Sequence, residues 1–242
     1  MTHRSLKWWH GMCLLAMGGL PLSSSAFEID SMYQVMNREG TASFIIKNSE
    51  DYRIFVGTSV NELHFDEQGA MNKVPYSRDN IGQWALDVFP ARAIIEPGLE
   101  KVFEVTMRCE LQCDYRDDQV YQVAFVPVPY REGVAGAVSQ MAVGFGPYVV
   151  YPGKGRPQLD AVVNYQGTTL TVFNHSPHVL TTRVSACQGA LKDECKRTLT
   201  VLGGRSLSFS LPEPMQTPSL TLTYSDVRGK AMGEQQVLRR PE

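Results

Sequence analysis

The order of apolar and polar residues along the chain predicts β-strands rather than helices. Short runs that alternate in polarity, or that are rich in β-branched and aromatic residues, recur between turn residues such as Gly40 and Asn61. The segment 61–83 is polar and is predicted to be a long loop. In the first half of the chain the predicted strands are 27–30, 41–48, 52–60, 84–89, 102–107, 119–126 and 138–151.

A second and smaller set of strands follows a run of Pro and Gly at 152–157. This run predicts a stiff connection without regular secondary structure. Seven short strands with turn signals on each side of it predict an all-β protein of two immunoglobulin-like β-sandwich domains, 27–151 and 158–242, joined by a short elbow. The predicted strands of the second half are 159–165, 168–173, 179–187, 195–202, 206–211, 219–224 and 235–238.

Residues 1–26 have the pattern of a secretory signal peptide. A basic start is followed by an apolar run at 12–22 and by the small residues 24–26, which form a cleavage site. The alternative, a membrane anchor that is retained, is disfavoured by that cleavage site and by the shortness of the apolar run. We therefore expect an exported protein that begins near Phe27 and does not insert into a membrane.

Removal of the signal peptide changes the formal net charge from −2 to −4, because two basic residues and no acidic residue are lost. This mild acidity argues against nucleic acid and anionic membrane surfaces as partners. The remaining 216 residues are enough for one large or two modest domains with cores of their own.

The exported chain keeps four cysteines in two close pairs, Cys109/Cys113 and Cys187/Cys195. An even number of paired cysteines in an exported protein predicts two local disulfides. A zinc site made of all four cysteines is the alternative. Neither pair has two-residue spacing, and the pairs fall in different predicted domains, which favours the disulfides.

The sequence contains no recognisable catalytic motif. Of the three histidines after the signal peptide, His64 lies in no nucleophile motif, and there is no Gly-x-Ser-x-Gly elbow, phosphate-binding glycine loop or His-Glu-x-x-His. His175 and His178 could supply half of a metal site, but no cysteine or carboxylate lies at ligand spacing, so a polar turn is favoured. The segment 174–176 also matches a glycosylation sequon. We expect no enzyme activity, no bound metal and no cofactor.

Several short motifs occur in a fixed order along residues 27–240. They lie at 93–98 (Ala-Ile-Ile-Glu-Pro-Gly), 121–125 (Tyr-Gln-Val-Ala-Phe) with 127–129 (Pro-Val-Pro), 172–177 (Val-Phe-Asn-His-Ser-Pro), 202–206 (Leu-Gly-Gly-Arg-Ser) and 224–229 (Tyr-Ser-Asp-Val-Arg-Gly). In this order they resemble the turns and strands of the periplasmic pilus chaperones, the PapD-like family of the chaperone–usher pathway. The pair Cys187/Cys195 is similar to one in the class that serves the alternative, colonisation-factor-like pili.

The resemblance implies a periplasmic chaperone, monomeric when free, that binds pilus subunits and delivers them to an outer-membrane usher. Such a subunit lacks its last strand, and the chaperone fills the groove with its own seventh strand. In this sequence that strand is 138–151, and the alternate residues that would enter the groove are Met141, Val143 and Phe145. Alternation alone does not distinguish these residues from ones that face the protein's own core.

The family binds the carboxylate at the end of the subunit with one basic residue in the first strand and another in the seventh. In this sequence the first position falls near Tyr33 or Gln34 and the second near Tyr148, and none of these is basic. A neutral donor binds a carboxylate more weakly than a charged one does. Lys154 and Arg156 in the linker are therefore further candidates for this role.

A structural or adhesive subunit of a surface fibre is the alternative function. A subunit of that kind would normally be a single incomplete domain, whereas this sequence predicts two domains with full sets of strands. A periplasmic hydrolase is disfavoured by the missing motifs.

Overall fold

The structure is a computed structural model, and it describes residues 27–66, 70–108, 114–130, 143–187 and 193–241. The predicted signal peptide and three predicted site residues, Cys109, Cys113 and Met141, lie outside these ranges. The described residues form β-strands and three short 3-10 helices. None of the helices in these ranges is long and apolar enough to cross a membrane.

Residues 27–151 form two sheets. Their strands are β1 (Phe27–Ile29), β2 (Tyr33–Val35), β3 (Thr41–Asn48), β4 (Ile54–Phe65), β5 (Met71–Pro75), β6 (Leu86–Phe89), β7 (Arg92–Ile95), β8 (Glu100–Met107), β9 (Gln119–Pro129) and β10 (Tyr148–Tyr151). One sheet has the order β1-β3-β8-β6, and the other has the order β2-β10-β9-β4-β5, with β7 also paired to β4. The pair of β2 with β10 is parallel, and the other pairs are antiparallel.

The core of this first half lies between its two sheets. Phe44 of β3 and Phe103 of β8 are Cα partners, so their side chains point to the same face of the sheet. That face is the inner one, and both residues are fully buried. Phe125 of β9 enters from the opposite sheet, and its ring meets the rings of Phe44 and Phe103 edge to face, with centroids 5.5 and 5.1 Å apart. Each such buried ring contributes about 1.5–3 kcal/mol from the removal of apolar surface from water.

Residues 161–238 form two smaller sheets. Their strands are β11 (Ala161–Gln166), β12 (Thr169–Asn174), β13 (Leu180–Ser185), β14 (Lys196–Val201), β15 (Ser206–Ser210), β16 (Ser219–Ser225) and β17 (Ala231–Leu238). The orders are β11-β12-β15 and β14-β13-β16-β17, and the pairs are antiparallel. A disulfide joins Cys187 to Cys195 beside the β13–β14 pair, as predicted. The structure therefore confirms the predicted all-β fold of two β-sandwich domains.

The predicted sequon lies in the interior of the second domain. Asn174 is fully buried, and its Nδ2 donates hydrogen bonds to the backbone oxygens of His178 (2.7 Å) and Val201 (3.1 Å). Its Oδ1 accepts a hydrogen bond from the hydroxyl of Ser176 at 2.8 Å. The amide of Asn174 therefore joins neighbouring segments of the fold and is not exposed.

The prediction of a long loop at 61–83 is wrong. Strand β4 continues to Phe65 and pairs with β5, and a 3-10 helix follows at Arg78–Gln83. In the extended part of β4 only Leu63 is buried, and it belongs to a cluster that includes Val179 of the second domain. Leu63 is therefore buried in part by a residue that is distant in the sequence. Its neighbours at 61–65 are mostly polar, so local alternation does not predict a strand there.

Candidate functional site

The segment that leads into β10 lies beside β9, and its other edge is paired with none of the residues that the structure describes. The amide of Phe145 donates to the backbone oxygen of Phe125 at 3.0 Å, and the amide of Phe125 donates back at 2.8 Å. In an antiparallel pair of this kind the flanking residues direct their backbone N–H groups to the opposite side. Accordingly, the amides of Gly144 and Gly146 donate no hydrogen bond to any residue that the structure describes.

Glycine is required at position 144 because the chain approaches β9 closely there. A Cβ atom on Gly144 would lie 2.5 Å from the backbone oxygen of Phe125 and 3.2 Å from the Cα of Val126. A Cβ on Gly146 would lie 2.9 Å from Nε2 of Gln122. One face of this segment therefore has no side chains, and the other face carries Val143 and Phe145.

The structure separates the predicted subunit-binding residues. Phe145 is partly buried, and its ring stacks on that of Phe27 with centroids 5.1 Å apart, so it packs against the protein's own core. Val143 is 74% exposed. Phe145 therefore packs against the core of the first domain, whereas Val143, two residues earlier on the same face, lies outside that core.

An exposed apolar patch, which the sequence analysis did not identify, lies near this edge. Val126 and Val128 of β9 are 43% and 42% exposed, and Ile94 of β7 is 46% exposed. Phe55 of β4 lies between the two strands, because it pairs with Val128 on one side and Ile94 on the other. The sequence does contain a signal for this patch, because β9 has valine at positions where an exposed face would usually be polar.

Two of the candidate carboxylate-binding residues are neighbours across the parallel pair of β2 and β10. Tyr33 and Tyr148 are Cα partners, and Gln34 pairs with Val149. The hydroxyl of Tyr33 is buried and has no hydrogen-bond partner among the described residues. Burial and the nearby charge of Asp118 raise the pKa of Tyr33, so the phenol stays neutral and can donate a hydrogen bond.

The two basic linker candidates differ in their surroundings. The ammonium group of Lys154 forms an ion pair with Asp114, and this contact raises the pKa of Lys154. Its backbone amide donates to the oxygen of Tyr115 at 2.8 Å. Arg156 is exposed and forms no ion pair with any described residue. Arg156 is therefore the linker cation whose charge is not already balanced.

The carboxylate of Asp118 joins the first domain to the linker and to the second domain. It accepts hydrogen bonds from the amides of Gly153 and Val179, each at 2.8 Å, and its side chain is only 3% exposed. The Nδ1 atom of His178 lies 3.4 Å away, so this histidine is buried at the domain junction rather than exposed in a polar turn. Arg228 donates to the backbone oxygens of Gly153 (3.1 Å) and Pro152 (3.2 Å).

The junction also contains an apolar cluster shared by the two domains. Leu63, Val120 and Val150 of the first domain form one buried cluster with Val179 of the second, and Tyr33 and Tyr148 pack against this cluster among others. The candidate carboxylate-binding tyrosines therefore lie at the cleft between the domains, beside the hydrogen bonds of Asp118.

A family model described as "CS5 fimbrial protein N-terminal domain" matches residues 29–152. A comparison with curated proteins found no match. The family model and several solved structures are the comparisons that bear on the predicted resemblance to fimbrial chaperones.

Several solved structures have the same two-domain fold. The crystal structure of the class 5 fimbriae chaperone CfaA aligns with a TM-score of 0.52 at 10% identity, over 90% of this chain and 100% of that one. A chain from the chaperone–tip adhesin complex of CFA/I fimbriae biogenesis aligns with a TM-score of 0.51 at 10% identity, over the same shares. A chain from the CsuC–CsuE pre-assembly complex of the archaic chaperone–usher Csu pili of Acinetobacter baumannii aligns with a TM-score of 0.50 at 15% identity, over 90% and 99%.

These structural similarities establish the fold, and the sequence match establishes the family. The similarities extend over both domains, as the predicted resemblance requires. The family model covers just over half of the 242 residues, including all of the first domain except its first two residues. The chain therefore belongs to the CS5 fimbrial protein N-terminal domain family.

Proposed function

We propose that this protein is a periplasmic chaperone that binds fimbrial subunits through the segment 143–147 and delivers them for assembly at an outer-membrane usher. The observation that carries the proposal is the edge of that segment, where the amides of Gly144 and Gly146 have no acceptor among the described residues and lie beside the exposed Val143. The membership in a fimbrial protein family and the fold shared with fimbrial chaperones support it. Binding and delivery require no catalysis and no cofactor.

An incomplete immunoglobulin-like subunit would add its own strand to this edge. Backbone hydrogen bonds to the free amides would give affinity, and alternate side chains would enter the groove of the subunit. Full burial of an exposed valine contributes about 1.5–3 kcal/mol, so Val143, at 74% exposure, has most of that available. Phe145, which packs on Phe27, would anchor the segment to the chaperone's own core. Met141 stays a prediction as a second inserted side chain.

The terminal carboxylate of the subunit would bind at the cleft between the domains. Tyr33 has a buried hydroxyl whose hydrogen bond is unmade among the described residues, and a carboxylate oxygen would accept it. Tyr148 and Gln34 lie next to it in the β2–β10 pair. Arg156 would supply a positive charge that neither tyrosine has, whereas the charge of Lys154 is already matched by Asp114.

A structural or adhesive fibre subunit is the competing function. A subunit that lacks a strand leaves part of its core open along a groove. In this chain the central core residues of both domains, such as Phe44, Phe103 and Leu170, are fully buried. The closed cores favour a protein that supplies a strand over one that receives it.

The test is capture of a fimbrial subunit by the mature protein when the two are co-expressed in the periplasm. We expect a one-to-one complex with the wild-type protein and loss of the complex with Val143→Asp, because a carboxylate would be buried in an apolar groove. Val162→Asp is the matched control, since Val162 is 58% exposed and lies on β11 in the other domain. Both variants should keep the wild-type melting temperature.

Capture of the subunit by Val143→Asp at the wild-type ratio would contradict the proposal. Phe145→Asp gives an independent check, because a charge placed against Phe27 should lower the melting temperature as well. Multimers of the protein without a subunit would favour the fibre-subunit function.

A further inference from the structure

The outer face of the neighbouring strands β14, β13 and β16 is polar and carries its positive charges in one place. Alternation along the three strands β13, β14 and β16 places one set of residues in the core and the other on the outer face. On β13 and β16 the core set includes the buried Val184 and Leu222. Apart from Arg183 and Lys196, the outer positions of these strands are serine and threonine.

Three basic residues form what we call the cationic patch: Arg183 and Lys196 on the outer face, and Arg197, which pairs with the buried Val184 but is exposed because β14 is the edge strand. Together with Thr198 they line an open depression of about 460 Å³. Arg183 and Arg197 are exposed, and Arg197 Nη1 donates to the backbone oxygen of Lys196 at 2.8 Å. No acidic side chain in the described part of the chain lies within ion-pairing distance of the three cations.

The disulfide holds the patch on a fixed frame. Cys195 directly precedes Lys196, and its bond to Cys187 closes the open end of the β13–β14 pair. The amide of Ala186 donates to the backbone oxygen of Cys195 at 2.9 Å, which continues the pairing beyond both strands. A rigid frame lowers the ordering cost that binding would otherwise incur.

The patch lies in the positively charged part of a molecule whose overall charge is negative. Residues 27–151 contain 10 basic and 18 acidic residues, whereas residues 152–242 contain 11 basic and 7 acidic residues. The formal charges of the two parts are therefore −8 and +4. Such an asymmetry orients the molecule toward an anionic partner and accelerates their encounter.

We propose that the cationic patch binds an acidic segment of a partner protein, one that carries a run of aspartate and glutamate. Guanidinium groups bind carboxylates through paired hydrogen bonds, and two of them, those of Arg183 and Arg197, line the same depression. An anionic membrane fits less well, because that binding typically uses about four to eight basic residues and this face has no large apolar side chain beside the patch. The surface is distinct from the edge at 143–147, which belongs to the first domain.

The experiment measures binding of a fluorescein-labelled peptide of eight glutamates to the mature protein by anisotropy, with an eight-glutamine peptide as the neutral probe. We expect the glutamate peptide alone to bind, with affinity that falls as salt rises. The variant Arg183→Gln/Lys196→Gln/Arg197→Gln should bind about tenfold more weakly or worse, since each exposed pair contributes a factor of roughly two to five.

The control variant Lys230→Gln/Arg239→Gln/Arg240→Gln removes the same charge from exposed sites elsewhere in the same part of the chain. It should bind within twofold of the wild type, and equal losses in the two variants would overturn the proposal, because net charge alone would then explain binding. The proposal would also be overturned if the wild type did not bind the glutamate peptide. The same holds if phosphatidylglycerol vesicles displaced the peptide and an unlabelled glutamate peptide did not.

A second variant tests the guanidinium groups without a loss of charge. Arg183→Lys/Arg197→Lys should weaken binding of the glutamate peptide about threefold, because ammonium groups lack the paired donors. All of these variants should still capture a fimbrial subunit at the wild-type ratio. Peptide anisotropy therefore tests the cationic patch, and subunit capture separately tests the proposed chaperone function.

Discussion

Replacement of Asp118 by alanine tests how the two domains are held together. The carboxylate accepts hydrogen bonds from the amides of Gly153 and Val179, both at 2.8 Å, and is almost completely buried. Alanine leaves both amides without an acceptor at a junction that also contains the imidazole of His178. The change removes no apolar contact of note, so its effect reports on these hydrogen bonds.

The expected magnitude follows from the number of bonds. A hydrogen bond to a charged group contributes about 1.5–3 kcal/mol, and two are lost. Water can enter part of the space left by the carboxylate, so we expect a decrease of about 3–4 kcal/mol in the free energy of unfolding. Asp118→Asn keeps one acceptor oxygen and should cost about half as much.

The assay is urea unfolding followed by two signals. Trp84, the one tryptophan after the signal peptide, reports on the first domain by fluorescence, and far-ultraviolet circular dichroism reports on both domains. We expect the two transitions to coincide in the wild type and to separate in Asp118→Ala, because the domains then unfold independently.

Asp117→Ala is the matched control for this prediction. Asp117 is 48% exposed, and its carboxylate lies 3.8 Å from Nε2 of His178. Exposed pairs contribute less than about 1 kcal/mol. If Asp118→Ala lowered the free energy of unfolding by no more than Asp117→Ala, the assignment of Asp118 as the residue that fixes the junction would be wrong.

Two further predictions concern stability. Cys187→Ser/Cys195→Ser should lower the free energy of unfolding by about 2.5 kcal/mol, as chain entropy gives for a separation of 8 residues. A loss equal to that of the reduced wild type in urea melts would support this, and no loss would contradict it. Burial raises the pKa of Tyr76 to about 12, so its contribution is complete below pH 10 and is lost as pH rises toward 12. Tyr76→Phe should show a shallower decline of the urea midpoint over this range, and an unchanged decline would refute the assignment.

The core strands were predictable because local alternation determines which side chains they bury. Phe44 and Ile46 on β3 alternate with exposed or partly exposed residues, as do Phe103 and Val105 on β8, and all four are fully buried. Two short strands, β2 and β7, were not predicted, because three or four residues give little alternation. The strand β2 (Tyr33–Val35) is defined by its parallel pairing with β10, which lies over a hundred residues away.

The candidate site was predictable only in part. Alternation places Val143 and Phe145 on one face, but it does not show where the sandwich ends. That boundary depends on Phe27, whose ring covers Phe145 and leaves Val143 exposed. The role of Asp118 depends on the amides of Gly153 and Val179, so nothing in the local sequence distinguishes it from Asp117.

The absence of side chains at Gly144 and Gly146 has a consequence for the register of any strand that pairs with this edge. A shift of one residue would exchange the face that carries Val143 and Phe145 for a face of hydrogen atoms. A paired strand can therefore keep its side-chain contacts only if it shifts in steps of two residues. In the shifted register a paired strand would therefore meet no side chain of this segment at all. A side chain cannot be added at Gly144, because its Cβ would lie 2.5 Å from the oxygen of Phe125.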